Sequence, residues 1–197
     1  MRNLLQLLFW GVSLVVIPVL LSVKAGEGAP EKKESSGRLR RPIALTLFDD
    51  DRKLLVAKRD SGTLIVVDKR PLQVDTETRV GGKLSDLAAD RNRERILVSD
   101  EEASTIILLS NQKGSLRELR RVKVGLNPVS VQVSEDGAFA TAACLWPRQL
   151  MILDLNAALK PSKPDAASVV TAVVNLPFAP RRQLMLPGDS KVVVVDS

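Results

Sequence analysis

A unit of about 42 residues recurs along this chain, and it limits the folds that the chain can adopt. Val56 is matched by Val98, and Asp68 by Ser110, each 42 residues further on. Self-similarity at a fixed period of roughly 20 to 50 residues indicates an array in which each unit packs against its neighbours. The fold of the whole therefore follows from what one unit forms.

Each unit contains short runs rich in Val, Ile, Leu and Thr, which are separated by turns of Asp, Gly, Ser and Asn. This pattern is typical of strands joined by hairpins. The fourth run of a unit is more polar and alternates, which predicts an outer edge strand with one face in water. The predicted strands are 42–48, 53–57, 63–68 and 73–80 in the first unit, 84–88, 95–99, 105–109 and 117–124 in the second, and 128–133, 138–142, 149–154 and 169–174 in the third.

Segments at 80–84 and 124–128 link the units, and there Gly permits a positive φ while Pro128 fixes the entry into the next strand. Four-stranded antiparallel units joined in this way predict an all-β fold, the β-propeller. We place its blades at about 40–80, 81–124 and 125–175, with a fourth begun at 176–197. An insertion at 156–167, which contains two prolines, is predicted as a loop of the third blade.

The units resemble the YVTN family of propeller repeats. The match is clearest in the third unit, at Val124-Gly125, Pro128, the turn Ser134-Glu135-Asp136-Gly137, Ala142 and Ile152-Leu153-Asp154. The second unit departs from the family pattern because it lacks the Pro and the closing Asp, and no Tyr-Val-Thr-Asn string occurs. The resemblance spans about 40–197. It implies a propeller, which in some members of the family is attached to a cytochrome c domain.

The amino terminus has the composition of an export signal. A basic start at Arg2 precedes an almost wholly apolar run at 4–23, and a small-residue site ends at Ala25. We predict a signal peptide at 1–25, with an uncleaved signal anchor as the alternative, since the apolar run is long enough to span a bilayer. Residues 26–39 read as a flexible linker. The protein is therefore expected to be extracytoplasmic, in the periplasm or secreted, and to be anchored in a membrane through 4–23 only if that segment is not cleaved.

Three and a half blades do not close a ring, because each blade has to cover the apolar face of its neighbour. From the sequence we expect a fragment of a longer protein. The missing blades would come from the rest of that protein or from another copy of the chain.

The residue inventory argues against several kinds of chemistry. The chain has no His and a single Cys, Cys144, which we predict to be a buried apolar residue. Ser-His-Asp and Cys-His pairs, imidazole metal sites and c-type haem attachment all require His. Asp49, Asp50 and Asp51 read as a solvated hairpin turn rather than a calcium site. The sequence therefore predicts no catalytic residue, no metal, no cofactor and no enzymatic activity.

Charge and loop position indicate which kinds of partner the chain can bind. Aromatic residues make up only 3% of the chain and its 29 Lys and Arg are scattered, which argues against nucleic-acid binding. The links and the turns between second and third strands should share one face, and loops on a rigid scaffold are where binding residues lie. The candidate residues on this face are Lys58, Arg59, Asp60, Asp100, Glu101, Glu102, Trp146 and Arg148.

The predicted function is an exported scaffold that binds an unknown protein or small-molecule ligand. The alternative is the N-terminal propeller of a larger extracytoplasmic cytochrome c-type or lactonase-like enzyme, whose chemistry would lie outside this chain.

Overall fold

The computed structural model describes residues 41–48, 51–112, 114–160, 169–189 and 191–196, all of which lie in one compact unit. The predicted signal and linker fall outside these residues. Within them the chain forms fourteen strands and one short helix: β1 Pro42–Phe48, β2 Lys53–Lys58, β3 Thr63–Lys69, β4 Leu72–Arg79, β5 Leu84–Ala89, β6 Arg95–Asp100, β7 Thr105–Gln112, β8 Ser115–Lys123, β9 Pro128–Val133, β10 Phe139–Cys144, β11 Gln149–Asp154, α1 Leu155–Ala158, β12 Val170–Asn175, β13 Arg182–Met185 and β14 Val192–Val195.

The strands form three four-stranded sheets and one two-stranded sheet, every neighbouring pair being antiparallel. We call β1–β4 blade 1, β5–β8 blade 2, β9–β12 blade 3, and β13 with β14 blade 4. The inner strands β1, β5, β9 and β13 lie next to one another in that order. The predicted all-β propeller with four-stranded blades is therefore confirmed.

Turn residues with a positive φ recur at equivalent places in the blades. The turn after the second strand carries Gly62 (φ 64°), Ser104 (φ 52°) and Arg148 (φ 51°) in blades 1, 2 and 3. Only at Gly62 would a Cβ strike backbone, since it would lie 2.0 Å from the carbonyl oxygen of Gly81. The link that leaves blade 1 folds directly over that turn, so this position requires glycine.

Apolar side chains fill the space between blades 1 and 2 and the space between blades 2 and 3. Leu55, Leu64, Ile96 and Ile107 belong to the core between blades 1 and 2, and Leu97 faces the other way into the core between blades 2 and 3. Side chains on a strand alternate between its two faces, so blade 2 contributes residues to both cores. By contrast, every residue of the outer strand β4 is exposed.

The segment predicted as a loop at 156–167 differs from expectation where it begins. Residues 155–158 form the helical turn α1, because Asp154 caps it by accepting a hydrogen bond from the Ala157 amide at 2.9 Å. Leu155 and Ala158 are buried in the core between blades 2 and 3. Residues 161–168 lie outside the described part of the chain.

Among the described residues, no helix has the length and hydropathy needed to cross a membrane.

Candidate functional site

A β-bulge occurs near the start of each of the inner strands β1, β5 and β9. The pairing with the second strand skips one residue between Pro42 and Ala44, between Leu84 and Asp86, and between Pro128 and Ser130. The extra residues are Ile43, Ser85 and Val129. A bulge bends its strand and re-aims a side chain, and bulges are frequent beside binding sites.

All three bulge residues line one cavity of about 590 Å³, which we call the mouth cavity. It lies where the inner strands of the four blades begin, and residues of all four blades contribute to its wall. The lining residues are Pro42, Ile43, Arg59, Ser85, Glu101, Val129, Arg181, Arg182 and Asp196. A cavity of this volume is within the range of about 300 to 1,000 Å³ that is usual for small-molecule sites.

An ion pair between blades forms part of the wall of the mouth cavity. Arg59 Nη2 lies 2.6 Å from Glu101 Oε2, and Lys83 Nζ lies 3.4 Å from the same oxygen. Glu101 is only 6% exposed, so its charge is held largely away from water by two cations. Arg59 and Glu101 are 42 residues apart, and they meet because the same turn of successive blades comes together here.

Two of the predicted face residues, Lys58 and Asp100, occupy the same place in successive blades as Cys144, at the end of the second strand, and all three are buried. Lys58 is ion-paired with Glu77. Asp100 accepts hydrogen bonds from the amides of Gly82, Lys83, Glu102 and Ala103 at 3.0 to 3.3 Å. Cys144 packs beneath the link of its own blade, where a Cβ on Gly125 would lie 3.1 Å from its sulfur. Asp100 and Cys144 thus lie against the links, whereas Lys58 is held by the outer strand β4, and none of the three lines the mouth cavity.

The other predicted residues of this face point elsewhere. Asp60, Glu102 and Arg148 are exposed, and Trp146 is 69% exposed at the tip of its turn. None of these four lines the mouth cavity. Of the eight predicted residues, Arg59 and Glu101 line the mouth cavity, whereas Asp100 and Glu102 line a separate cavity together with Arg79 of blade 1.

Sequence reasoning missed the contribution of blade 4. Arg181 and Arg182 are exposed and line the mouth cavity, and Asp196 lies on the same wall. Neither arginine side chain forms an ion pair or hydrogen bond with the described residues. A signal was present in the sequence, because both arginines directly follow Pro180, at the position where Pro128 introduces the inner strand of blade 3.

Buried polar contacts hold the inner strands together close to the cavity. Asp86 Oδ2 accepts hydrogen bonds from Ser130 Oγ at 2.8 Å and from the Val131 amide at 3.0 Å, joining blade 2 to blade 3. Gln183 donates to the carbonyl oxygens of Ser130 at 2.9 Å and Thr141 at 3.0 Å, joining blade 3 to blade 4. Satisfied polar networks of this kind fix the relative position of the strands. The cavity wall is therefore set in advance of any ligand.

The titratable groups show two shifts with a clear cause. Burial raises the pKa of the Cys144 thiol to about 11, so the sulfur stays protonated at neutral pH. A hydrogen bond from Ser134 Oγ at 2.6 Å is the main cause that lowers the pKa of Asp136, in the Ser-Glu-Asp-Gly turn of blade 3.

The acidic turn at 49–51 is only partly described. Asp51 is ion-paired with Arg93 of the next blade, and Asp49 and Asp50 lie outside the described residues. The described residues include no group of three or more Asp, Glu or Cys placed to hold a metal.

Comparison with solved structures places the chain among propellers. It is similar to hydrazine synthase from Kuenenia stuttgartiensis, with a TM-score of 0.67 and 19% identity over 85% of this chain and 45% of that one. It is also similar to a candidate 6-phosphogluconolactonase from Bacteroides uniformis, with a TM-score of 0.68 and 11% identity over 79% and 47% of the two chains. The Cps50 (Swd1) β-propeller domain of Myceliophteria thermophila matches with a TM-score of 0.59 and 13% identity over 73% of this chain and 46% of that one. No family model matches the sequence, and no curated protein does.

Two consequences follow from these likenesses. The chain spans less than half the length of the structures that it matches. The prediction that the protein is not an enzyme is contradicted, because the similar structures include hydrazine synthase and a candidate lactonase. The lack of His in this chain does not argue against catalysis, because the same fold also occurs in enzymes. At these identities the likeness shows the fold alone, so neither activity transfers to this chain by comparison.

Proposed function

We propose that this chain is an exported propeller of YVTN-type repeats that binds a small-molecule ligand in the mouth cavity. The observation that carries the binding role is the convergence of all four blades on one cavity, into which three successive bulges turn Ile43, Ser85 and Val129. Regular strands would not place an extra residue at the same point of three blades, and bulges are retained where they serve a site.

The YVTN assignment is supported by the way in which the repeat motif works in blade 3. Ser134 Oγ accepts a hydrogen bond from the Phe139 amide at 3.0 Å, and Asp136 accepts one from the Ala138 amide at 2.8 Å. Gly137 takes a φ of 67° beneath the Arg95 side chain of the preceding blade. Ser134, Asp136 and Gly137 thus each have a physical role in this turn.

The binding role is tested by filling the mouth cavity. Val129→Trp places a large ring at a bulge position in the cavity, whereas Leu126→Trp adds the same ring on the exposed link of the same blade, outside the cavity. Thermal unfolding of the full chain is measured against a panel of neutral and charged metabolites. We expect compounds that raise the Tm of the wild type and of Leu126→Trp to lose this effect in Val129→Trp. An equal Tm increase in all three proteins would place binding elsewhere.

Export is tested at the predicted cleavage site. In a bacterial host, intact-mass measurement should find the secreted chain beginning at Gly26, because the run 4–23 followed by Ala25 has the form that signal peptidases cleave. Ala25→Arg should block this cleavage and leave the full mass. Recovery of the wild type only in the cytoplasmic fraction would contradict export, and an uncleaved membrane-bound wild type would support the signal anchor.

A second candidate function is hydrolysis of a sugar lactone. It is favoured by the likeness to two candidate 6-phosphogluconolactonases of Bacteroides species and by the two carboxylates, Glu101 and Asp196, in the wall of the mouth cavity. A carboxylate can activate water as a general base. Turnover of 6-phosphogluconolactone by the full chain, with and without added divalent metal, and its loss in Asp196→Asn would establish this activity. No turnover under either condition would remove it.

A further inference from the structure

The charges in the wall of the mouth cavity are unequal. Arg59, Arg181 and Arg182 line it together with Glu101 and Asp196, and Lys83 approaches it through its contact with Glu101. Three guanidinium groups and two carboxylates line the cavity, a net charge of +1, and Lys83 beside Glu101 raises the net charge of the region to +2. A concave surface with an excess of one sign concentrates ions of the opposite sign.

The cations near this cavity differ in whether they have an ionic partner within the protein. Arg59 and Lys83 share the buried carboxylate of Glu101. Arg181 and Arg182 form no side-chain contact with the described residues, although Asp196 lies on the same wall. Free guanidinium groups beside an occupied ion pair have hydrogen-bond donors available for a ligand. Arginine is suited to oxyanions because its planar fork matches carboxylate and phosphate.

The rest of the wall is largely apolar and indicates a ligand that has a carbon skeleton as well as negative charge. Pro42, Ile43 and Val129 present apolar surface, and the Ser85 hydroxyl lies between them on the inner strands. An apolar wall favours the carbon skeleton of an organic molecule over a hydrated inorganic ion.

We propose that the mouth cavity binds a small organic dianion, either a phosphate monoester or a dicarboxylate, through Arg181 and Arg182. This inference rests on the proposed function, since it names the ligand class of the same cavity. Arg59, held by Glu101, lines the same cavity, and the carbon skeleton of the ligand contacts Ile43 and Val129. Ligand binding should weaken as salt rises, because the attraction is between charges that are partly exposed to solvent.

The test is calorimetric titration of the full chain with glucose 6-phosphate and succinate, which distinguish the two sources of negative charge. Glucose and succinamide serve as the neutral counterparts. We expect one dianion to bind the wild type and its neutral counterpart not to bind. Arg181→Gln combined with Arg182→Gln should weaken binding by about 10- to 100-fold, as expected for the loss of charge-assisted hydrogen bonds.

A matched control separates specific contacts from overall charge. Arg91→Gln combined with Arg117→Gln makes the same change in net charge at two exposed arginines outside the cavity. Equal weakening in both double variants would overturn the proposal. Arg181→Lys with Arg182→Lys keeps the charge and should bind with intermediate affinity. It provides the comparison if the glutamine variant does not fold, and wild-type affinity in it would also overturn the role of the guanidinium forks.

The outcomes distinguish this inference from the function on which it rests. If only neutral compounds bind, and Val129→Trp abolishes their binding, the mouth cavity is a ligand site but the dianion proposal is wrong. If no compound, neutral or charged, depends on the cavity, both proposals fail.

Discussion

Removal of the Asp100 carboxylate should destabilise the protein more than removal of any exposed acid. Asp100 is 1% exposed and accepts four backbone hydrogen bonds, two from the link that leaves blade 1 and two from its own turn. A hydrogen bond to a charged group contributes about 1.5 to 3 kcal/mol. The four distances are 3.0 to 3.3 Å, and water can reach the exposed link in the variant, so the sum is not additive. We expect Asp100→Ala to lower the free energy of unfolding by about 3 kcal/mol.

Asp100→Asn should have a smaller effect, because the four hydrogen bonds are divided unequally between the two carboxylate oxygens. Oδ1 accepts three of them and Oδ2 accepts only the one from Gly82. Asp100→Asn can keep the first three on its amide oxygen, but it loses the charge and turns an NH₂ group towards the Gly82 amide. We expect a loss of about 1 to 2 kcal/mol, since neutral hydrogen bonds are weaker than charged ones.

Urea unfolding of the full chain measures both effects. With a slope of about 2 kcal/mol per molar urea, a loss of 3 kcal/mol lowers the midpoint by about 1.5 M. Asp60→Ala is the control, because Asp60 is exposed in the equivalent turn of blade 1 and forms no side-chain bond with described residues. Its midpoint should change by less than about 0.3 M. The same small change in Asp100→Ala would refute the conclusion that this carboxylate supports the link.

Three further predictions concern the turns and the core. Gly188→Ala should lower the free energy of unfolding by about 1 kcal/mol and Gly62→Ala by more than about 2 kcal/mol. Both glycines have a positive φ, but only Gly62 has backbone within reach of the new Cβ. Equal midpoints of the two variants in urea would contradict this. In Ser134→Ala the pKa of Asp136 should rise towards its ordinary value, as followed by carbon NMR, and an unchanged pKa would exclude the Ser134 hydrogen bond as the main cause. Because this pKa is lowered in the folded state, the stability that it contributes is present above the ordinary value for Asp and is lost as the pH falls through the folded value. Cys144, fully buried with a pKa of about 11, should react with a thiol reagent at pH 8 only after unfolding, and rapid labelling of the native chain would show that the site opens.

Local sequence was sufficient to predict the strands and the turns between them. The run at 42–48 is found as β1 Pro42–Phe48, and that at 149–154 as β11 Gln149–Asp154. Such elements depend on β-branched and aliphatic composition and on Gly or Asp at the turns, which a single stretch of chain contains. The start of the predicted loop at 156–167 failed for a local reason, because Asp154 at the end of a strand is also a helix cap.

The candidate site was only partly predictable, because burial depends on what the next blade places over a residue. Asp100 and Glu101 belong to a charged turn that resembles a solvated one, yet they are 1% and 6% exposed. Trp146, the largest side chain of the predicted face, is 69% exposed and does not line the mouth cavity. The role of a turn residue is thus decided by its neighbours in space.

The sequence by itself determined a chain of four-stranded antiparallel units, because the 42-residue period and the strand and turn composition repeat within each unit. Only the tertiary structure decided which residues form one site. Arg59 and Arg182 are separated by two blades in sequence and meet at one cavity, because the inner strands begin side by side. That meeting depends on the twist and packing of whole blades, and no local pattern in the sequence encodes it.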